Sequence, residues 1–309
     1  MMVRTENLGM VFRAGFKRRK VAALKGLDLE VRQGETFGFL GPNGAGKTTT
    51  LKILMGLIYP TSGKAWLMGK ELGNVSVKHR LGFLPEQPYF YDYLTASEFM
   101  DFYGRLFGMS SGERKVRAAE LLALVGLEHA RDLQLRKFSK GMLQRIGIAQ
   151  ALINDPELVV LDEPMSGLDP VGRKDVKDIM IQLKERGKTV FFSTHILPDV
   201  EVVCDRVAIL VKGELRAMGA VGELLEGVEA ASVEMTFDGL TGADLAAVKS
   251  LAKSSFVQGS MNTAFFDDGE KAKEAKELVF KRGGEIISLI PHRRSLEDIF
   301  IEEVKKGRV

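Results

Sequence analysis

Apolar and polar positions change rhythm along this chain, and each rhythm predicts an element. The run Thr36–Leu40 is almost continuously apolar, which predicts a strand buried on both faces. Residues 158–161, 189–193 and 207–211 read the same way, and a helical pattern over 172–185 separates the first two. Such alternation predicts an α/β core built on a parallel sheet. Ahead of it, residues 2–11 and 21–31 alternate as strands, 64–68 form a short strand and 81–84 another. From Thr95 to Gly126 the period becomes helical, and residues 142–152 continue it. A mostly helical insert over 88–152 thus divides two strand-rich halves.

Beyond residue 228 the texture changes. Residues 232–237 alternate as a strand, 242–252 suit a helix, and short strands near 255–260 and 263–267 follow. A helix at 269–281, a strand at 285–289 and a last amphipathic helix at 295–306 complete the pattern. The order β-α-β-β-α-β is that of a ferredoxin-like unit, so the tail reads as a small α+β domain.

Composition narrows the field. The 309 residues suit one large and one smaller domain, and a net charge of +3 is too near neutral to argue for a nucleic-acid partner. With Cys204 as the single cysteine no internal disulfide forms, which fits a reducing cytosol. The N-terminus, with Arg4 and Glu6, does not read as a secretory signal, and no apolar run approaches the ~20 residues that span a bilayer. The basic run from Arg13 to Lys20 reads as a solvated hairpin loop.

The chemistry concentrates after the first buried strand. There Gly41-Pro42-Asn43-Gly44-Ala45-Gly46-Lys47-Thr48-Thr49 opens onto a helical run at residues 50–57. Strand, glycine-rich turn and helix start at this spacing make a phosphate-binding loop. Backbone N–H groups close around phosphate oxygens, and the helix dipole adds positive potential. Lys47 would reach the β- and γ-phosphates, and the Thr48 hydroxyl would ligate Mg²⁺. The apolar strand at 158–161 ends in Asp162-Glu163, where ligands bind in parallel sheets; the first carboxylate suits Mg²⁺ and the second an attacking water.

Further motifs follow in order: Phe138-Ser139-Lys140-Gly141-Met142-Leu143-Gln144-Arg145, then Ser166-Gly167-Leu168-Asp169, then His195 at a strand end. Together with the phosphate loop, they resemble the nucleotide-binding subunit of an ABC transporter over residues 1–220. The resemblance implies a P-loop NTPase core with an antiparallel β subdomain and a helical insert, spanning residues 1–227, and an accessory domain over 228–309. It implies an ATPase at the cytoplasmic face of the membrane, bound to a separate transmembrane permease. It further implies a homo- or heterodimer that encloses two ATP molecules with Mg²⁺.

Carried over by position, Phe12 resembles the adenine-stacking aromatic. Ser139 and Gly141 resemble the signature residues that close on the partner's γ-phosphate. Asp162 resembles the Mg²⁺-associated aspartate, Glu163 the general base, Asp169 the aspartate of the loop crossing to the other subunit, and His195 the switch histidine. Catalysis would then fall to Glu163, His195 and Lys47. The sequence departs from the family pattern at Lys140 and Met142, and at Leu84-Pro85-Glu86-Gln87, where a glutamine usually follows the proline. Without a gap Glu86 takes that metal-associated position; Gln87 takes it only if the loop slips by one residue. Ser295-Leu296-Glu297-Asp298-Ile299-Phe300 resembles the ending of ATPases that serve ABC-2-type export permeases. Two other classes compete: a non-transport ABC ATPase and a regulatory ATP sensor.

Overall fold

The computed structural model describes residues 1–14, 19–225, 232–292 and 295–306. The core of the basic run, 15–18, and the expected domain junction at 227–228 lie outside them. The chain divides into two compact units, Met1–Val221 with Glu302–Val309, and Gly222–Ile301.

In chain order the first unit begins with β1 (Val3–Ala14), β2 (Arg19–Val31), β3 (Thr36–Leu40) and α1 (Lys47–Leu54). Next come β4 (Ser62–Leu67), β5 (Lys70–Glu71) and β6 (Leu81–Leu84), then α2 (Ala96–Leu106), α3 (Ser111–Leu124) and α4 (Lys140–Ala151). It continues through β7 (Leu158–Asp162), α5 (Pro170–Glu185), β8 (Thr189–Thr194), α6 (Leu197–Val203), β9 (Arg206–Val211) and β10 (Glu214–Ala220); a short α7 (Val221–Leu225) follows.

Two sheets result. An antiparallel sheet has the order β2-β1-β4-β5, and a six-stranded sheet runs β10-β9-β3-β8-β7-β6. In the second, β3, β6, β7, β8 and β9 are parallel, and β10 returns antiparallel at the edge. Every residue of β3, β7 and β8 is buried, as their apolar runs demand. Phe191 of β8 fixes the centre, its ring edge-on to Phe37 at 5.7 Å and tilted against Phe39 at 5.8 Å.

The insert leaves the sheet after β6 and returns at β7, which are direct neighbours with Leu84 opposite Leu161. Its first two helices start on capping boxes, Thr95 with Glu98 and Ser110 with Glu113, which satisfy otherwise orphaned N–H groups. Four elements escaped the pattern reading: the two-residue β5, the five-residue α7, α6 and β10. Helix α6 is only seven residues with a proline in its first turn, and β10 is a half-buried edge strand of which Leu215 and Met218 lean on the core. Neither length nor composition marks such elements in a single sequence.

The second unit comprises β11 (Ser232–Asp238), α8 (Gly242–Leu251), β12 (Ser254–Gln258), β13 (Met261–Phe266), α9 (Gly269–Lys281) and β14 (Glu285–His292). The chain then enters α10 (Leu296–Lys306). Its strands form one antiparallel sheet in the order β12-β13-β11-β14. Val233, Met235, Phe237, Ala264 and Phe266 pack on one face beneath Val248, Ala272, Ala275 and Val279 of the two helices. The β12–β13 hairpin sits earlier than its pattern predicts, because Gly259 at φ +64° takes the left-handed turn position. Among the described residues, no helix is long and apolar enough to cross a membrane.

The join between insert and sheet is tight. A β-carbon on Gly82 of β6 would lie 2.0 Å from the Ala151 carbonyl oxygen at the end of α4. Backbone cannot yield as a side-chain tip can. Gly82→Ala is expected to lower stability by about 1–3 kcal/mol, read as a fall in the thermal unfolding midpoint.

Candidate functional site

The phosphate loop connects β3 to α1, and its glycines are there for space. A β-carbon on Gly41 would come within 2.5 Å of the Leu210 carbonyl, and one on Gly46 within 2.6 Å of the Ala23 carbonyl. Gly46 also takes φ +112° as the N-cap of α1, with no side chain occupying the cap. The first-turn N–H groups are therefore left for a ligand, and no acidic residue in that turn opposes an anion.

Lys47 is buried at the start of α1. Its ammonium donates to the Gly41 carbonyl at 2.6 Å and lies 3.1 Å from Glu163 Oε1. Glu163 in turn places Oε2 2.9 Å from Nδ1 of His195. The predicted catalytic trio of Lys47, Glu163 and His195 is thus one connected chain of contacts. Glu163 and Lys47 are buried, whereas the His195 side chain is 43 % exposed at the rim.

Beside this chain lies a second one. Thr48 donates to Asp162 Oδ1 at 3.3 Å, and Ser193 donates to the same oxygen at 2.5 Å. Burial pushes the Asp162 carboxyl above its ordinary range; the bonds from Ser193 and Thr48 act the other way. Ser193 also accepts from the Glu163 backbone N–H at 2.9 Å, so one hydroxyl holds both acidic residues. Sequence reasoning assigned Ser193 no role. The signal was its register: parallel pairing of β7 with β8 sets Asp162 opposite Ser193. The two carboxylates diverge because the strand ends between them. Strand β7 stops at Asp162, and Glu163 adopts a left-handed backbone at φ +51°, unusual for a residue with a β-carbon.

A cavity of about 250 Å³ opens over the loop, walled by Pro42 and the residues through Thr49 together with Ala23, Glu86 and Glu163. Glu86 therefore stands in the site, while Gln87 is not among its walls. Phe12 is not a wall either. It is a partly exposed residue of β1 directly opposite Val21 of β2, two positions before Ala23. Ser139 caps α4, accepting from Met142 N–H at 3.2 Å, and Gly141 lies in that helix's first turn. Asp169 caps α5 in the same way, accepting from Gly172 at 2.8 Å. Phe12, Ser139, Gly141 and Asp169 are thus not walls of the phosphate cavity. Lys140, beside the signature residues Ser139 and Gly141, reaches back within its own chain. A β-carbon on Gly167 would lie 1.9 Å from its amine, so it rests on the loop before α5 in its own chain.

The helical insert carries a separate groove of about 790 Å³, lined by Tyr91, Tyr93, Phe102, Arg105, Arg114 and their neighbours. The aromatic stretch before α2 divides its labour. Phe90 packs on Phe99 at 5.6 Å and Tyr91 on Phe102 at 5.2 Å. Tyr89 and Tyr93 remain exposed.

Comparison with known proteins agrees with this geometry. The family model described as "ABC transporter" matches residues 24–166. An uncharacterized ABC transporter ATP-binding protein of Synechocystis sp. is 48 % identical over 308 residues, covering 99 % of this chain and 85 % of that protein. A fluoroquinolones export ATP-binding protein of Mycobacterium tuberculosis is 35 % identical over 298 residues, covering 95 % and 91 %. Among solved structures, a dimeric ATP-binding cassette in a post-hydrolysis state, bound to ADP and Pi, is 29 % identical. Its TM-score is 0.64, and the match covers 71 % of this chain and 98 % of that one.

Ser193→Ala leaves the Asp162 oxygen and the Glu163 N–H without their shared partner. The variant is expected to lose about 1–3 kcal/mol of stability and to turn over ATP more slowly, whereas Ser193→Thr keeps the hydroxyl and most of both. Paired thermal melts and phosphate-release assays check this.

Proposed function

This chain belongs to the ATP-binding proteins of ABC transporters, and on that premise we propose how its residues divide the work of ATP hydrolysis. The connected pair of clusters, Lys47–Glu163–His195 and Thr48–Asp162–Ser193, carries the reading. A triphosphate seated on the first turn of α1 competes with Glu163 for the Lys47 ammonium. Once Lys47 turns to the β- and γ-phosphates, the Glu163 carboxylate is free to take a proton from the attacking water. His195, at the rim, is placed to contact the γ-phosphate. Positioning and charge neutralisation account for most of the barrier reduction.

The residues fit Mg²⁺ as well. A half-buried hydroxyl and a buried carboxylate, Thr48 and Asp162, lie side by side, and burial disfavours the aspartate's charge until a cation offsets it. Glu86 is the third candidate ligand, favoured over Gln87 by its place in the cavity wall. The ion would supply positive charge to the phosphoryl oxygens. Phe12 and Val21 form an exposed apolar pair leading from Ala23, which suits the face of an adenine. Ser139, Gly141 and Asp169, standing apart from the chain's own cavity, fit a site completed by a second subunit. The dimeric relative supports that arrangement.

In this reading the chain works at the cytoplasmic face of a membrane and drives export through a separate permease. The M. tuberculosis relative named for export and the ABC-2-like run at 295–300 support the direction. The groove of the insert, with exposed Tyr93 at its wall and Tyr89 nearby, suits a permease helix. Residues 1–227 form the ATPase domain and 228–309 the accessory one. The strand order of the latter supports a ferredoxin-like topology.

Glu163→Gln is expected to bind ATP, to sediment as a dimer in Mg-ATP and to lose roughly 10²–10⁴-fold in turnover. Sedimentation beside a phosphate-release assay checks it, and a wild-type rate would reassign the base. The double variant Tyr89→Ala/Tyr93→Ala should keep the basal ATPase rate but lose co-purification with the permease.

A further inference from the structure

The second unit ends its sheet on a strand that no described residue covers. All five residues of β12, Ser254-Ser255-Phe256-Val257-Gln258, are exposed, with Phe256 and Val257 at least half so. Among the described residues the strand pairs only with β13, so its outer row of N–H and C=O groups faces away from the sheet. It contains no charge and no proline. Edge strands ordinarily carry such devices against pairing with other chains. The opposite edge of the same sheet has them: β14 holds Pro291, begins at Glu285 and shifts register opposite Phe237. The contrast lies between two edges of one sheet, so it is specific to β12.

We propose that β12 is the contact by which the accessory domains of two copies of this chain pair, strand against antiparallel strand across a two-fold axis. An uncharged strand is self-complementary in a way a charged one is not. Centred on Phe256, the pairing sets Ser254 against Gln258 and Ser255 against Val257, and no like charges meet. The flanking Lys253 is already engaged with Asp267 at 3.0 Å. The two-residue turn Gly259-Ser260 closes the hairpin on Gln258 and Met261, which directs the backbone groups of Ser255 and Val257 outward. Phe256, stacked beside Phe265 at 6.1 Å, extends the contact onto the open face of the sheet.

One five-residue strand pair falls short of the ~1,000 Å² that sustains a free-standing interface. It acts instead on chains already brought together, where tethering supplies effective concentrations in the millimolar range. The second copy is therefore the one in the ATP-dependent dimer proposed above, and in that respect the inference rests on that reading.

The test uses the full-length chain with Glu163→Gln, with and without Mg-ATP, in a background whose only other cysteine is Cys204. In the paired geometry two copies of residue 256 stand as a non-hydrogen-bonded pair, close enough for a disulfide. Phe256→Cys should cross-link in the ATP-bound dimer at least tenfold more than Glu274→Cys, placed on exposed α9. Adding Val257→Pro, which removes an outward N–H but no bond to β13, should cut that yield about tenfold. Chains that sediment as dimers yet cross-link no better at 256 than at 274 would overturn strand pairing and leave the ATP-dependent dimer standing. Cross-linking at 256 in chains that stay monomeric with ATP before oxidation would keep the pairing and overturn the ATP-dependent dimer.

Discussion

A buried ammonium needs a negative partner, and the site is arranged around how Lys47 meets that need. Taking a charge out of water is costly unless an opposite charge and hydrogen bonds compensate. Lys47 finds the Gly41 carbonyl on one side and Glu163 on the other. The same carboxylate is shared with His195. One residue therefore joins the loop that binds phosphate to the strand ends that perform chemistry. The glycines of the loop, the left-handed turn at Glu163 and the register of β7 on β8 all serve to bring these groups within reach. In the mechanism proposed above, a triphosphate replaces one negative partner of Lys47 by another, while His195 stays beside the released Glu163 carboxylate.

The legible parts of this molecule were those written in local pattern. The phosphate loop was readable because it needs glycines at fixed spacing beside a lysine. Strands β3, β7 and β8 were readable because burial on both faces leaves their centres apolar, with polar residues only at the ends. The helices of the insert announced themselves by their period. What sequence concealed depends on neighbours distant in the chain. Ser193 is an ordinary polar strand end until β8 is laid beside β7. Nor does spacing reveal that the long stem of Lys140 carries its amine to Gly167, 27 positions on. Spacing alone also cannot express that Glu86, and not Gln87, is among the walls of the phosphate cavity.

The two units solve the problem of sheet edges differently. The six-stranded sheet ends on β10, a strand that returns antiparallel and is half-buried along its length. The accessory sheet guards β14 with a proline and a charge while β12 carries neither. That asymmetry within one small domain is what separates an incidental edge from an adhesive one.

The helical insert leaves β6 and returns to β7, and those two strands are bonded to each other from Leu81–Leu158 to Leu84–Leu161. Seventy-odd intervening residues thus begin and end at a single seam of the sheet, much as a hairpin loop does. Insertions, deletions or wholesale replacement of surface within that excursion need not disturb the strand that delivers Asp162. A lineage that keeps Glu86 and the Ser139–Gly141 turn can therefore vary the groove surface proposed to meet the membrane partner, and one ATPase scaffold can be re-addressed to many permeases.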